Sequence, residues 1–181
     1  FDGKLNTLSL EELSGDRKKY QDLYDELLTY KKENLEDEQQ LEYEFIKWII
    51  ESFFFDFDVL KSHVTNPMYY SSALGNIGSY ISREYAPFED RVRSIIKLIE
   101  GVPVVYENAQ KNLNPVCAAL HCKYAKLFAE GYVKFLREDL PAELERREVS
   151  DELKNEYNEA FPKAANAIEE YMRFIEEKLV P

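Results

Sequence analysis

Glycine and histidine are scarce in this chain, and their scarcity excludes more chemistry than any residue present suggests. Among 181 residues there are 6 glycines, 7 prolines, 2 cysteines and 2 histidines. No glycine-rich phosphate loop, nucleophile elbow or dinucleotide fingerprint can be found. The two histidines, His63 and His121, stand in neither His-Glu-x-x-His nor Glu-x-x-His. A zinc protease needs two histidines one helical turn apart plus a glutamate base, and a bundle di-iron centre needs paired Glu-x-x-His motifs. Motifs alone therefore assign no catalytic, cofactor-binding or metal-binding residue.

Long apolar runs are also missing. The longest candidate, Trp48 to Phe55, is short and broken by Glu51, so no membrane-spanning helix is expected. From Phe1 there is no basic start followed by an apolar core, so no signal peptide is expected either. Positive charge is in deficit: 23 Lys and Arg face 35 Asp and Glu, for a net charge of -12. Such a surface repels a phosphate backbone and anionic lipid, which argues against nucleic acid and membrane as partners. Cys117 and Cys122 lie five apart in what reads as one helix, about 140° apart around its axis, and cannot pair with each other. Unpaired thiols point to a reducing, cytoplasmic compartment.

With 45% hydrophobic and 32% charged residues, what remains is the composition of a compact helical protein. Its length suits one domain, residues 1–181, able to bury a core without staples. No alternating segment bounded by turn residues supports a sheet. The expected fold is all-α, an irregular bundle of six to seven helices with mostly antiparallel neighbours.

Ser9 to Glu12 has the form of a capping box opening a short turn that Gly15 interrupts. A clearer helix from Asp16 to about Asn34 follows, with the stripe Tyr20, Leu23, Tyr24, Leu27 and Leu28. The cluster Glu36-Asp37-Glu38 suits the positive end of a second helix, whose inward stripe is read as Leu41, Phe45, Trp48, Ile49 and Ser52. Around Phe53 to Phe57 apolar residues cover all sides, which implies burial on more than one face. Asn66-Pro67 opens a third helix with Tyr70, Ala73, Leu74, Ile77 and Ile81 inward, weakened by Gly75 and Gly78 at roughly 1 kcal/mol each. Pro87 opens a fourth, closed by Gly101. Pro103 opens a fifth to about Asn112, and Asn114-Pro115 a sixth to about Asp139, with Val116, Leu120, Tyr124, Leu127, Phe128, Phe135 and Leu136 inward. Ser150 caps a seventh whose apolar spacing continues through Pro162, predicting a kink there rather than a stop.

Cys117 and His121 share a helical face with Cys122 adjacent, so a soft metal could find two ligands there, but two are too few, and buried thiols pack as small hydrophobes. The clusters Glu36-Asp37-Glu38, Glu169-Glu170 and Glu176-Glu177 fall on polar faces and read as solvated surface. Of the 13 tyrosines, Tyr69, Tyr70, Tyr80 and Tyr85 fall close in sequence to Arg83, Arg91 and Arg93. A groove lined by tyrosine and arginine would suit a carboxylate such as a peptide terminus. The competing reading is that the same residues brace one helix against another. Tyr70, Arg83 and Arg91 are the candidate cleft-lining residues.

The stretch from Asn66 to Leu113 carries a family likeness. Asn66-Pro67 with Tyr70, the link Arg83-Glu84-Tyr85-Ala86-Pro87, the Arg91 helix, Gly101-Val102-Pro103 and Asn108-Ala109-Gln110-Lys111-Asn112-Leu113 resemble the amino-terminal helical region of domain-of-unknown-function family eight-eight-five, as does the helix from Tyr157 to Leu179. Members of that family look like all-helical zinc metallopeptidases, longer than this chain, with His-Glu-x-x-His carboxy-terminal to the region seen here. The resemblance therefore implies a non-catalytic amino-terminal domain that forms one wall of a substrate cleft. Its implied partners are the remainder of its own polypeptide and a peptide substrate, with zinc held only by that remainder. It predicts an exposed apolar face, around Phe53 to Phe57, where the remainder docks. A self-contained scaffold domain would have no such face, and a small-molecule binder would have a deep pocket lined by Arg91 and Tyr70.

Overall fold

The computed structural model describes residues 3–71 and 77–179, and every regular element among them is helical. Ala73, Leu74 and Gly75 of the predicted third helix lie outside the described residues. The chain divides into two compact units, Leu10–Ser62 and Phe1–Ser9 with His63–Pro181.

The smaller unit is a hairpin of α1 (Leu10–Leu27) and α2 (Asp37–Phe54), the latter extended by a π-helical turn over Phe55–Leu60. The helices run antiparallel: Tyr20 stacks on Phe53 with ring centroids 4.1 Å apart, and the Tyr24 hydroxyl donates to Glu51 at 2.7 Å. Arg17 pairs with Asp58 at 2.9 Å and lies over the Phe54 ring. At the start of α2 the Glu36 amide donates to Gln39 Oε1, half of a capping box.

Three expectations are corrected here. Gly15 does not interrupt α1, since one interior glycine costs about 1 kcal/mol against alanine, too little to stop eighteen residues. The helix ends at Leu27 rather than Asn34, and a 3-10 turn at Lys32–Asn34 follows. Of the stripe, Leu41, Phe45 and Trp48 face outward and Ile49 borders a groove toward α1, while Ile50 is buried. Helix α2 is apolar on two sides, and periodicity alone selected the side that α1 does not cover.

The larger unit is built on α6 (Phe88–Asn112) and α9 (Asp151–Lys178). They run in the same direction: near their starts Glu89 accepts a hydrogen bond from the Ser150 amide at 3.1 Å, and farther along Tyr106 packs on Tyr171 at 4.6 Å. Helix α7 (Ala119–Lys134) lies antiparallel to α9, with Lys126 paired to Glu176 near one end and Leu136 accepting from the Tyr157 hydroxyl near the other. A π-helical turn at Phe135–Asp139 leads from α7 into α8 (Leu140–Arg146), and the short helices α3 (Ser62–Thr65), α4 (Met68–Ser71) and α5 (Ile77–Ser82) complete the unit. Asn66 caps α4 as predicted, its side-chain oxygen accepting from the Met68 amide at 3.0 Å.

Helix α6 is continuous where two helices were expected. Gly101 is not a stop: a Cβ there would lie 2.9 Å from Leu5 Cδ2, so the glycine makes room for the amino-terminal segment. Pro103 sits inside the helix, with Val102, Val105 and Tyr106 around it fully buried. Packing on both sides of the proline outweighs the lost hydrogen bond. The start of α7 is also corrected, from Pro115 to Ala119, and so is its orientation. Val116, Leu120, Tyr124, Leu127 and Phe128 are exposed, whereas Cys122, Ala125, Ala129 and Val133 face inward and Leu136 is buried. Small side chains let α7 approach α9 closely, and close approach rather than bulk decides the inner face. The buried set of α9 matches the predicted spacing at Leu153, Tyr157, Ala164, Ile168, Tyr171 and Ile175, straight through Pro162.

Pro162 is exposed on α9, so its cost is that of an interior proline, about 3 kcal/mol relative to alanine before relaxation. Pro162→Ala should leave the helical circular dichroism unchanged and keep or raise the melting temperature. A fall of several degrees would show that α9 needs the proline to meet α6.

Candidate functional site

The residues singled out between Asn66 and Leu113 fall into two groups at opposite ends of α6, Tyr70 with Asn112 at its end and Arg83 with Arg91 at its start, roughly 30 Å apart along the helix, and most of their polar atoms are directed at backbone. Tyr70 is fully buried; its hydroxyl donates to the His63 carbonyl at 2.6 Å and accepts from Asn112 Nδ2 at 3.0 Å. The same Asn112 amide donates to the Leu8 carbonyl, and Asn108 one turn earlier donates to the Thr7 carbonyl, both at 2.9 Å. Together with Leu5 at Gly101, these contacts lay residues 5–8 along α6. Leu8 takes a left-handed conformation, φ 54°, uncommon for a branched residue and held here by Asn112. Tyr171 completes the pattern by donating to the Pro67 carbonyl at 2.7 Å. Buried tyrosine hydroxyls and asparagine amides thus satisfy carbonyls of links and of the short helix α3.

Arg91 performs the same task with charge. It is 3% exposed, and its guanidinium donates to four carbonyls: Ala86 through Nε at 3.0 Å, and Tyr80, Ile81 and Arg83 through Nη1 at 2.8, 3.1 and 2.8 Å. Those carbonyls belong to the end of α5 and the link into α6, where helix termini leave acceptors unsatisfied. Phe88 lies between Arg91 and Arg147, at 5.0 and 4.4 Å from the ring centroid, and Arg147 donates to the Ile81 carbonyl at 3.2 Å. Tyr70 and Arg91 are therefore engaged by the protein itself, in the bracing arrangement. Arg83 is exposed and contributes its backbone carbonyl to the Arg91 clamp.

Open grooves lie elsewhere. One of about 500 Å³ runs beside α6 and α9, bordered by Pro103, Tyr106, Glu107, Lys111 and Glu170. Its charges are mutually paired in part, with Lys111 2.6 Å from Glu107. The Tyr106 hydroxyl is buried without a hydrogen-bond partner among the described residues. A second groove, about 350 Å³ and apolar, lies between α1 and α2 along Tyr20, Leu23, Leu27, Ile46 and Ile49.

No three His, Cys, Asp or Glu side chains among the described residues converge in a way that could hold a metal ion. Cys117 and Cys122 are both free and buried, and burial pushes both thiols up. Cys117 lies ahead of α7 rather than in it, and its thiol approaches the Asn114 carbonyl at 3.3 Å.

The sequence resemblance is matched by comparison with known proteins. The family model described as "Bacterial protein of unknown function (DUF885)" matches residues 1–181. A solved structure described as a "putative lipoprotein of unknown function from Shewanella oneidensis" has the same fold, with a TM-score of 0.87 at 22% identity. The match covers 98% of this chain and 32% of that one, so the chain spans about a third of its relative's length. No curated protein matches the sequence.

Two outcomes follow from the buried polar groups. Arg91→Ala leaves several buried carbonyls unsatisfied, each costing about 1–3 kcal/mol, and should lower the melting temperature by roughly 6 °C or more, while Arg83→Ala should shift it by less than about 2 °C. Equal melting shifts would show that the clamp is not what holds the link. Burial also raises the Tyr70 phenol to about 12, with the Asn112 hydrogen bond opposing, and raises Tyr106, Tyr157 and Tyr171. A raised folded pKa means the stabilisation is complete below the unfolded value near 10 and is lost above it. Urea unfolding should thus show stability falling between about pH 10 and pH 12; a flat profile would contradict phenol burial. The match of the family model over residues 1–181 shows that this chain belongs to the DUF885 family of bacterial proteins of unknown function.

Proposed function

We propose that this chain is the helical, non-catalytic amino-terminal domain of a longer zinc-metallopeptidase-like protein, forming one wall of its substrate cleft. The observation that carries this reading is the outward face of α7, where Leu120, Tyr124, Leu127 and Phe128 are all exposed. Of the stretch Phe53 to Phe57 expected to dock a missing part, Phe55 is exposed, as are Val59 and Leu60 beyond it, while Phe53 and Phe54 are half-buried against α1. Contiguous apolar faces of this kind mark surfaces that are covered in the working protein. A self-contained scaffold would carry polar residues there. The fold relative is about three times as long as the matched region, which supports a longer working unit.

On this reading the zinc ligands and the general base lie in the remainder, and this chain supplies shape. Arg83, exposed at the link into α6, meets a carboxylate of the peptide substrate, while Arg91 holds the link beneath it. The partners are the remainder of the polypeptide and the peptide; the acidic balance of the chain disfavours nucleic acid. No helix among the described residues is long and apolar enough to cross a membrane. The compartment we propose is cytoplasmic, supported by the two buried free thiols.

The purified 181-residue chain should hold no stoichiometric zinc and cleave no peptide, whereas the longer protein should do both. One tightly bound zinc per 181-residue chain by metal analysis would overturn the assignment of zinc to the remainder. A longer reading frame without His-Glu-x-x-His, or a longer protein with neither zinc nor peptidase activity, would overturn the metallopeptidase reading.

A further inference from the structure

Helix α2 carries two apolar stripes on opposite sides. The inner one holds Ile50, Phe53 and Phe54 and meets Tyr20 and Tyr24 of α1. The outer one holds Leu41, Phe45, Trp48, Ser52, Phe55 and Val59, at spacings of four, three, four, three and four. That alternation is the a and d pattern of a coiled-coil seam. At 3.6 residues per turn the positions from Leu41 to Ser52 fall within about 60° of one another, and Ile50 lies about 180° from Leu41. The outer stripe is uncovered: Leu41 is 72% exposed, Trp48 62% and Val59 64%. A helix that is apolar on two sides has two sets of neighbours, and α1 supplies one of them.

The flanks of the outer stripe identify the other. The positions beside the seam are Glu44, Glu51 and Asp58 on one side and Glu42, Ile49 and Asp56 on the other. Lys32 pairs with Glu44, Lys47 with Glu51 and Arg17 with Asp58, and Tyr24 and Ser62 donate to Glu51 and Asp56, yet residues 10–62 as a whole carry fifteen acids against seven bases and keep a net negative charge along this face. A second copy of α2 would set carboxylate against carboxylate in either orientation, which selects against self-pairing.

We propose that the outer stripe of α2 seats an amphipathic helix from the remainder of the longer polypeptide, with an apolar seam flanked by lysine and arginine. This rests on the domain reading above, and on the fold relative, of whose chain only 32% is matched here. Trp48, the chain's one tryptophan, lies in the seam and reports on it directly.

The test compares acrylamide quenching of Trp48 in the 181-residue chain and in the longer protein, taking the difference between wild type and Trp48→Phe in each. In the longer protein Trp48 should emit at shorter wavelength, and its quenching constant should fall by about threefold or more, because the centre of a packed interface excludes solvent. Glu42→Lys with Glu44→Lys should restore quenching there, with unchanged circular dichroism showing that the variant folds; full protection retained in that variant overturns the basic flank. Protection already present in the 181-residue chain also overturns the proposal, as pairing of copies if it depends on concentration and as cover by the chain itself if it does not. Zinc content and peptide cleavage are measured on the same longer protein. If it binds zinc and cleaves peptide while Trp48 stays open, the seam proposal fails and the domain reading stands.

Discussion

The parallel contact between α6 and α9 is the constraint on which the larger unit depends. Ile95, Ile99, Val102, Val105 and Tyr106 from one helix and Ala164, Ile168, Tyr171 and Ile175 from the other are almost wholly removed from water. Full burial of such side chains contributes about 1.5–3 kcal/mol each, so this seam can carry a proline within each helix. Two helices in the same direction need a return element between them. Helix α7 is that element, and its alanine-rich face lets it pass close to α9.

A second layer of interactions fixes what helices leave loose. Short helices and links contain more carbonyls than they can satisfy among themselves, and burial makes each unsatisfied one costly. Here Tyr70, Tyr157, Tyr171, Asn108, Asn112 and Arg91 reach those carbonyls from long, well-anchored helices or from the core. A cluster of tyrosine, arginine and asparagine resembles a ligand site in sequence because recognising a peptide and bracing one's own backbone require the same donors. Burial separates the two: Arg91 and Tyr70 have no surface to offer, and Arg83 does.

What this fold leaves open is as informative as what it closes. Outward bulky residues on α7, and on α2 between Leu41 and Val59, give surfaces with no counterpart in their own units. Bulk on the outside with alanine and cysteine on the inside is the reverse of what an isolated bundle favours, and it suits a domain that is one layer of a larger assembly.

Much was legible without coordinates. The all-α class, the Asn66 cap, the register of α9 through Pro162 and the family likeness follow from local spacing and residue chemistry, because caps and periodicity act over a few residues. The continuity of α6 was not legible, since Gly101 and Pro103 carry the local signs of a break, and only Leu5 against the glycine and the burial of Val102 and Val105 explain why the helix continues. The inward faces of α2 and α7 were also hidden. Each helix is apolar on more than one side, so periodicity offers several stripes, and the choice among them depends on the shape of a neighbour distant in sequence. Sequence alone determined the all-α class and the family; tertiary structure decided where helices run on and which side of each is inside, because those choices are made by packing partners rather than by the helix itself.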